Sequence, residues 1–254
     1  MSDSGDLFSL QGKRALVSGG SRGIGLEIAR GFVAAGVEVT ISSRKADAVA
    51  AAAEELGCRG IPADLSSADG CAGLAAEIDG PLDILVNNAG ASWGAPIEEF
   101  PEAGWDKVID TNVKGVFELT RALLPRLREA ASPEDPARVL NIGSIDGIRV
   151  PAMESYPYST SKAAVHMLTR HLAKRLASEA ITVNAIAPGP FPSKMTAFML
   201  DEPEAREAVE AAVPLGRIGD AADLVGTTTF LCSRAGSYLT GAIVPLDGGI
   251  TGCG

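Results

Sequence analysis

The sequence predicts a doubly wound α/β fold, a seven-stranded, mostly parallel sheet with helices on both faces. Three observations predict it. Short runs rich in β-branched residues alternate with helical segments along the whole chain. Most of those runs are continuously apolar, as strands covered on both faces must be. A glycine-rich turn, Ser18-Gly19-Gly20-Ser21-Arg22-Gly23-Ile24-Gly25, joins the first strand-like run to the first helical one. No composition shift, linker, repeat or low-complexity tract divides the 254 residues, so one domain over 1–254 is expected.

Residues 14–18 read as the first strand. Helical spacing of Ile24, Ile28, Ala29, Phe32 and Val33 marks a helix over 24–35, ended by Gly36. Residues 37–42 form the second strand, and the alanine-rich segment 46–56 a helix stopped by Gly57. The third strand ends near Pro62-Ala63-Asp64, and a helix over 67–78 closes at Gly80-Pro81. Strand 83–86 runs into Asn87-Asn88-Ala89-Gly90. A long helix over 103–130 follows, which Pro125 is expected to kink or end. Strand 138–142 precedes a helix that carries Tyr158 and runs to about residue 178. Residues 181–186 are the sixth strand, 188–199 irregular, 202–212 and 221–231 helical. The seventh strand, 243–246, ends at Asp247-Gly248-Gly249.

A hydrophobic content of 46% with 21% charged residues is enough for a sizeable core. The net charge of -10 argues against nucleic acid or an anionic membrane as partner. Cys58, Cys71, Cys232 and Cys253 lack CxxC spacing, which fits a reducing, cytoplasmic setting without a disulfide or metal framework. His166 and His171 are five apart and do not share a helix face, so no metal site is expected. The first residues lack a basic start followed by an apolar run, and no apolar run reaches the ~20 residues that span a bilayer.

The glycine turn has the form G-x-x-x-G-x-G at Gly19, Gly23 and Gly25, not the strict G-x-G-x-x-G. Glycines there let the backbone come close to a pyrophosphate, and the following helix offers free N–H groups and a favourable dipole. A purely structural turn would look similar. Its place after the first strand favours a Rossmann-type dinucleotide site built from Gly19, Ser21, Arg22, Gly23 and Ile24. The second strand ends in Ser42-Ser43-Arg44-Lys45. A cofactor with bare ribose hydroxyls would favour an acid here, and there is none. Arg44, with Arg22, Ser43 and Lys45 beside it, suits a 2'-phosphate, so the expected cofactor is NADP(H).

Tyr158 and Lys162 are four apart and share a helix face. An adjacent ammonium favours a phenolate and lowers the phenol's pKa toward a useful range. By itself such a pair is usually a packing residue beside a solvated one. Tyr156 has Thr160, not a lysine, one turn on, and is the weaker candidate.

Taken together, Gly19-x-x-x-Gly23-Ile24-Gly25, Asp64-Leu65, Asn87-Asn88-Ala89-Gly90, Asn112, Ser144, Tyr158-x-x-x-Lys162, Pro188-Gly189 and Asp247-Gly248-Gly249 resemble the short-chain dehydrogenase/reductase family over essentially the whole chain. Within it the chain looks like the NADPH-dependent 3-oxoacyl-[acyl-carrier-protein] reductases. Residues 83–94 and 188–196 look like the branch that includes the rhamnolipid-associated β-ketoacyl reductase.

The resemblance implies hydride transfer between nicotinamide and a carbonyl carbon. It makes Tyr158 the proton donor, Ser144 its partner at the carbonyl oxygen, Lys162 the holder of ribose hydroxyls, and Asn112 the anchor of a water beside Lys162. It assigns Asp64 and Leu65 to the adenine, and Asn88, Ala89 and Gly90 to a close-lying ribose. Pro188, Gly189 and the Phe191 backbone go to the nicotinamide end, and Ser193 to the carboxamide or pyrophosphate. Trp93, with Ser144 and Tyr158, would face the substrate, as would residues 146–154 and an apolar loop over 190–200. The implied substrate is a 3-oxoacyl thioester on acyl carrier protein or CoA, handled by a homotetramer. Two other readings stay open: a reductase of a small sugar acid, polyol or secondary-metabolite ketone, and a non-catalytic NADP-sensing protein.

Overall fold

Seven short runs form the strands of the computed structural model, which describes residues 7–192 and 202–253. They are β1 (Arg14–Ser18), β2 (Glu38–Ser43), β3 (Arg59–Pro62), β4 (Ile84–Asn87), β5 (Ala137–Ile142), β6 (Ile181–Pro188) and β7 (Ile243–Leu246). They pair in the order β3-β2-β1-β4-β5-β6-β7. Every ladder is parallel, so the expected sheet is parallel throughout and not merely mostly. Four of the central runs are apolar on both faces because both faces are covered: β4, β5 and β6 are buried at every position, and β1 at all but its first.

The helices are α1 (Gly23–Ala34), α2 (Ala46–Leu56), α3 (Ala68–Ala76), α4 (Glu102–Ile109), α5 (Gly115–Ala130), α6 (Tyr156–Leu176), α7 (Pro203–Ala211) and α8 (Ala221–Cys232). On one face Ile28, Phe32, Val49, Leu56 and Leu231 bring α1, α2 and α8 onto the sheet. On the other, Leu74, Leu119, Leu123, Leu127 and Leu176 bring α3, α5 and α6. Local chemistry sets the ends. Gly57 takes the left-handed conformation (φ 66°) that stops α2. Ser67 caps α3 by accepting from the Gly70 N–H at 3.1 Å, and Asp220 and Asp223 close a capping box on α8. No helix among the described residues is long and apolar enough to cross a membrane.

The expected helix over 103–130 is interrupted, though not at Pro125. Asp110–Lys114 forms a π turn between α4 and α5, closed by the Gly115 N–H donating to the Asp110 carbonyl. This one-residue widening turns Asn112 into the interior, where it is 1% exposed. Pro125 lies inside α5 on its exposed side. It does not end the helix, which runs on to Ala130.

Beneath the carboxyl ends of β4 and β5 runs a buried polar ladder. Asn87 Nδ2 donates to Thr120 Oγ1 (3.0 Å) and to Asn141 Oδ1 (2.9 Å), and Asn141 Nδ2 donates to Thr169 Oγ1 (2.9 Å). It ties α5, β4, β5 and α6 side by side. A buried donor stripped of its acceptor costs its desolvation energy. Asn141→Leu is therefore expected to lower unfolding free energy by about 2–3 kcal/mol, read as a lower urea midpoint at an unchanged slope. An unchanged midpoint would deny the ladder a structural role.

Candidate active site

The strand order reverses direction between β1 and β4, and an open parallel sheet forms its crevice at such a point. Ser18 and Asn88 join the two strand ends there. Ser18 Oγ donates to the Val86 carbonyl (3.1 Å) and accepts from the N–H groups of Asn88 (3.0 Å) and Ala89 (3.1 Å). Asn88 Nδ2 donates to the carbonyls of Ser18 and Gly19, both at 3.0 Å. Gly19 (φ 66°) lies against this junction so closely that a Cβ would sit 2.7 Å from Asn88 Nδ2 and 2.9 Å from Ala89 Cα. The turn delivers the chain to α1, which has no side-chain cap and no acid in its first turn. Its N–H groups stay available to an anion.

At the outer end of the crevice, Arg22, Arg44 and Lys45 are exposed, and none is in an ion pair among the described residues. Asp64 follows β3. Its carboxyl is held below the usual range by the backbone N–H and hydroxyl of Ser66, at 3.0 and 2.8 Å, and further by the nearby Arg44 charge. Leu65 is buried beneath it, Ser21 and Ile24 are half-buried in the turn, and Ser43 ends β2 half-buried. At the inner end, Gly189 packs on Asp247, and Phe191 is buried against Gly219. Ser193 and most of the 190–200 loop lie outside the described residues.

The inner end also gathers Asn112, Ser144, Tyr158 and Lys162. Ser144 follows β5, and its Oγ accepts from the Asp146 N–H at 3.1 Å, capping the short 3₁₀ turn Ile145–Gly147. That leaves its own proton free to turn toward the neighbouring Tyr158 hydroxyl, whose pKa it lowers. Lys162 Nζ donates to the Ile142 carbonyl at 2.7 Å and lies 5.5 Å from the centre of the Tyr158 ring. Asn112 Oδ1 accepts from Ala91 N–H (2.7 Å), and its Nδ2 donates to the Ala91 carbonyl and Ser161 Oγ (both 2.9 Å). A Cβ added to Gly90 would stand 3.5 Å from Asn112 Oδ1 and 4.0 Å from Lys162 Nζ, so the end of β4 lies in contact range of both groups.

The electrostatics differ from the expected lowering of the phenol's pKa. Burial pushes Tyr158 up to about 12, with the Ser144 hydrogen bond opposing and the Asp146 charge reinforcing the rise. Burial also pulls Lys162 down to about 8. In the protein alone, desolvation outweighs the attraction between the two, and Tyr158 is a neutral phenol throughout the physiological range. Tyr156 packs edge-on against Phe100 (centroids 5.7 Å apart), away from this group. Trp93 is half-buried, with its ring against Gly104 and Lys107 Nζ 5.0 Å above it, both on α4.

Several contributors were not foreseen: Ser18, which reads as an ordinary strand residue, and the backbone groups of Ala91 and Ile142, which no residue type announces. A polar residue closing an otherwise apolar strand, just before the glycine turn, is the one signal that could have marked Ser18.

A family model described as enoyl-(acyl carrier protein) reductase matches residues 19–251. The rhamnolipids biosynthesis 3-oxoacyl-[acyl-carrier-protein] reductase of Pseudomonas aeruginosa is 50% identical over 249 residues, 95% of this chain and 97% of that protein. The galactitol 2-dehydrogenase (L-tagatose-forming) of Cereibacter sphaeroides is 39% identical, covering 96% and 97%. The solved Pseudomonas aeruginosa RhlG/NADP active-site complex superposes with a TM-score of 0.94 at 49% identity, over 97% of this chain and 99% of that one.

The burial of Lys162 has a measurable consequence. Its folded pKa, about 8, lies below its ordinary 10.5, so between those values the unfolded chain holds a proton that the folded chain has released. Stability attributable to Lys162 therefore rises with pH across that window, and the full penalty of the buried charge applies below it. Ligand-free Lys162→Met is expected to unfold at higher denaturant than the parent at pH 7, by up to about 3 kcal/mol. The gain should fade by about pH 10.5. A variant less stable than the parent at pH 7 would show that Lys162 is not penalised by burial.

Proposed function

The chain belongs to the short-chain dehydrogenase/reductase family, and from that membership we propose that it uses NADPH to reduce a ketone to a secondary alcohol, the ketone being a 3-oxoacyl thioester of acyl carrier protein or CoA. The meeting of Ser144, at the end of β5, with Tyr158 beside the buried Lys162 carries the reaction class. The similarity to the Pseudomonas aeruginosa 3-oxoacyl reductase supports the substrate class.

The crevice suits the cofactor on its own evidence: an uncapped α1 N-terminus, a side-chain-free approach at Gly90, and basic residues outside any described ion pair at the adenine end. Gly19, Ser21, Arg22, Gly23 and Ile24 would hold its pyrophosphate. Ser43, Arg44 and Lys45 would hold the 2'-phosphate, Asp64 and Leu65 the adenine, and Asn88, Ala89, Gly90 and Lys162 the ribose. Pro188, Gly189 and the Phe191 backbone would flank the nicotinamide, with Ser193 beside them. NADPH supplies the hydride when bound.

The protein's own part is proton management. A phenol pushed to about 12 is a poor base at pH 7 but a ready donor to an alkoxide, which is far more basic than a phenolate. Tyr158 gives its proton to the new alkoxide while the Ser144 hydroxyl donates a second hydrogen bond to the same oxygen. Lys162, titrating near 8, stands ready to return a proton toward the phenolate, and Asn112, turned inward near it, would anchor a water beside Lys162.

Ile148 and Met153 are about half exposed and Val150 is 91% exposed, all on the stretch between Ser144 and Tyr158. Those exposed apolar side chains beside the site favour an acyl chain. A small sugar or polyol ketone is the second reading, favoured by the similarity to the galactitol dehydrogenase. We further propose a cytoplasmic homotetramer, assembled through the outer faces of α5 and α6, where Phe117 and Met167 are exposed. Light scattering checks the assembly.

NADPH oxidation screened against 3-oxoacyl thioesters and small polar ketones tests the substrate. Turnover confined to the polar ketones would overturn the thioester reading. Tyr158→Phe is expected to lower kcat by ~100-fold or more while NADPH still binds, measured by fluorescence titration. For Arg44→Ala, the ratio of kcat/KM for NADPH over NADH should fall by roughly 10–100-fold, the worth of a charge-assisted hydrogen bond. An unchanged ratio would remove Arg44 from cofactor choice.

A further inference from the structure

We propose that His166 is a positioning residue for this reaction, the spacer that sets the Ser144 turn against α6 so that the Ser144 hydroxyl meets the Tyr158 phenol. The inference rests on the proposed reductase reading for its link to turnover, and on geometry alone for the spacing. Ser144 and Tyr158 come from different elements, the end of β5 and the start of α6, and something must fix the gap between them. Lys162 does so on one side, through its bond to the Ile142 carbonyl. His166 lies one turn further along α6, on the same face, and is 5% exposed.

Its ring fills the space that two glycines leave. A Cβ on Gly143 would come within 2.2 Å of His166 Nε2, and one on Gly147 within 2.9 Å of its Cε1. Those glycines bracket the Ser144–Asp146 stretch, so the imidazole touches the turn on both sides of Ser144. The Gly147 backbone favours a proton on the ring, and Nε2 has no partner among the described residues, which points to Nδ1 as the nitrogen that carries it. The same turn is held from within by the Gly147 N–H donating to the Ser144 carbonyl at 3.0 Å. Burial, then the Lys162 and Arg170 charges, push the imidazole down to about 4, so the ring is neutral with one proton to give.

A buried nitrogen without a partner costs stability, and packing alone would be better served by an apolar side chain. The histidine supplies both a flat filler and a directed donor, which neither leucine nor alanine does. Its role passes through Ser144 and Tyr158, with no contact to the reacting atoms.

The test uses the full ligand-free chain labelled with ¹³Cζ-tyrosine at pH 7.5, the Tyr158 resonance being assigned with Tyr158→Phe. Ser144→Ala marks how far the resonance moves when the hydrogen bond is lost. His166→Ala is expected to move it the same way and at least half as far. With the ketone that the parent turns over best, His166→Ala should lower kcat tenfold or more and leave the NADPH dissociation constant within twofold. His166→Asn, which keeps a donor near the Nδ1 position, should recover at least a third of the lost kcat. If His166→Ala does not fold, His166→Leu, which fills the space without the donor, takes its place with the same expectations. A Tyr158 resonance unmoved by the substitution while Ser144→Ala moves it overturns the proposal, as does kcat within twofold of the parent. The resonance needs neither cofactor nor ketone. A parent that reduces no ketone would therefore defeat the reductase reading and leave the spacer test standing.

Discussion

A lysine ammonium buried to 6% exposure and held, among the described residues, by the Ile142 carbonyl is the constraint around which the site is arranged. A cation taken out of water is costly unless its surroundings compensate. The compensation fixes geometry. The bond ties α6 to the carboxyl end of β5, and with that tie Tyr158, one turn before Lys162, is brought to Ser144. Gly90 lies beside both the ammonium and Asn112, which is turned inward to share that space. The π turn brings Asn112 there, and the short 3₁₀ turn at Ile145–Gly147 presents Ser144.

The two ends of the crevice are held by different physics. At the glycine turn, backbone meets backbone, and Ser18 and Asn88 fasten β1 to β4 with five hydrogen bonds that a side chain at Gly19 would obstruct. At the phenol end, desolvation dominates. It raises an acid and depresses a base a few ångströms apart, and the neutral forms of both are favoured together. The buried asparagine–threonine ladder lies under both ends and keeps the strands that carry them in register.

Much of this was legible in the residues. The 14–18 and 243–246 strands and the 46–56 helix have the expected bounds, because a short apolar run and a glycine-stopped alanine stretch have few alternatives. The positions of Ser144 at a strand end and of Tyr158 one turn before Lys162 followed from spacing. The π turn was not legible, since each residue of 103–130 suits an ordinary helix and the widening arises only where Asn112 finds Ala91 and Ser161. Pro125 does not end the helix, since α5 continues past it to Ala130. The pKa of Tyr158 misled because spacing along a helix reports the neighbouring charge and is silent about burial. His166 read as a plain helix position for the same reason: nothing local says that its ring will lie between two glycines more than a dozen residues upstream.

The strand order also has a consequence in time. β1 is made early, pairs with β2 on one edge, and must wait for β4, some seventy residues later, to cover the other: Ala15 meets Ile84, and Leu16 meets Leu85. Each parallel pairing needs a crossover, so these contacts are distant along the chain and are slow to form. Until β4 arrives, an apolar edge beside the future glycine turn stays open to other chains. Ser18 and Asn88 lie at that last-closed seam, so the bonds that shape the crevice are among those that end the period of greatest risk of aggregation.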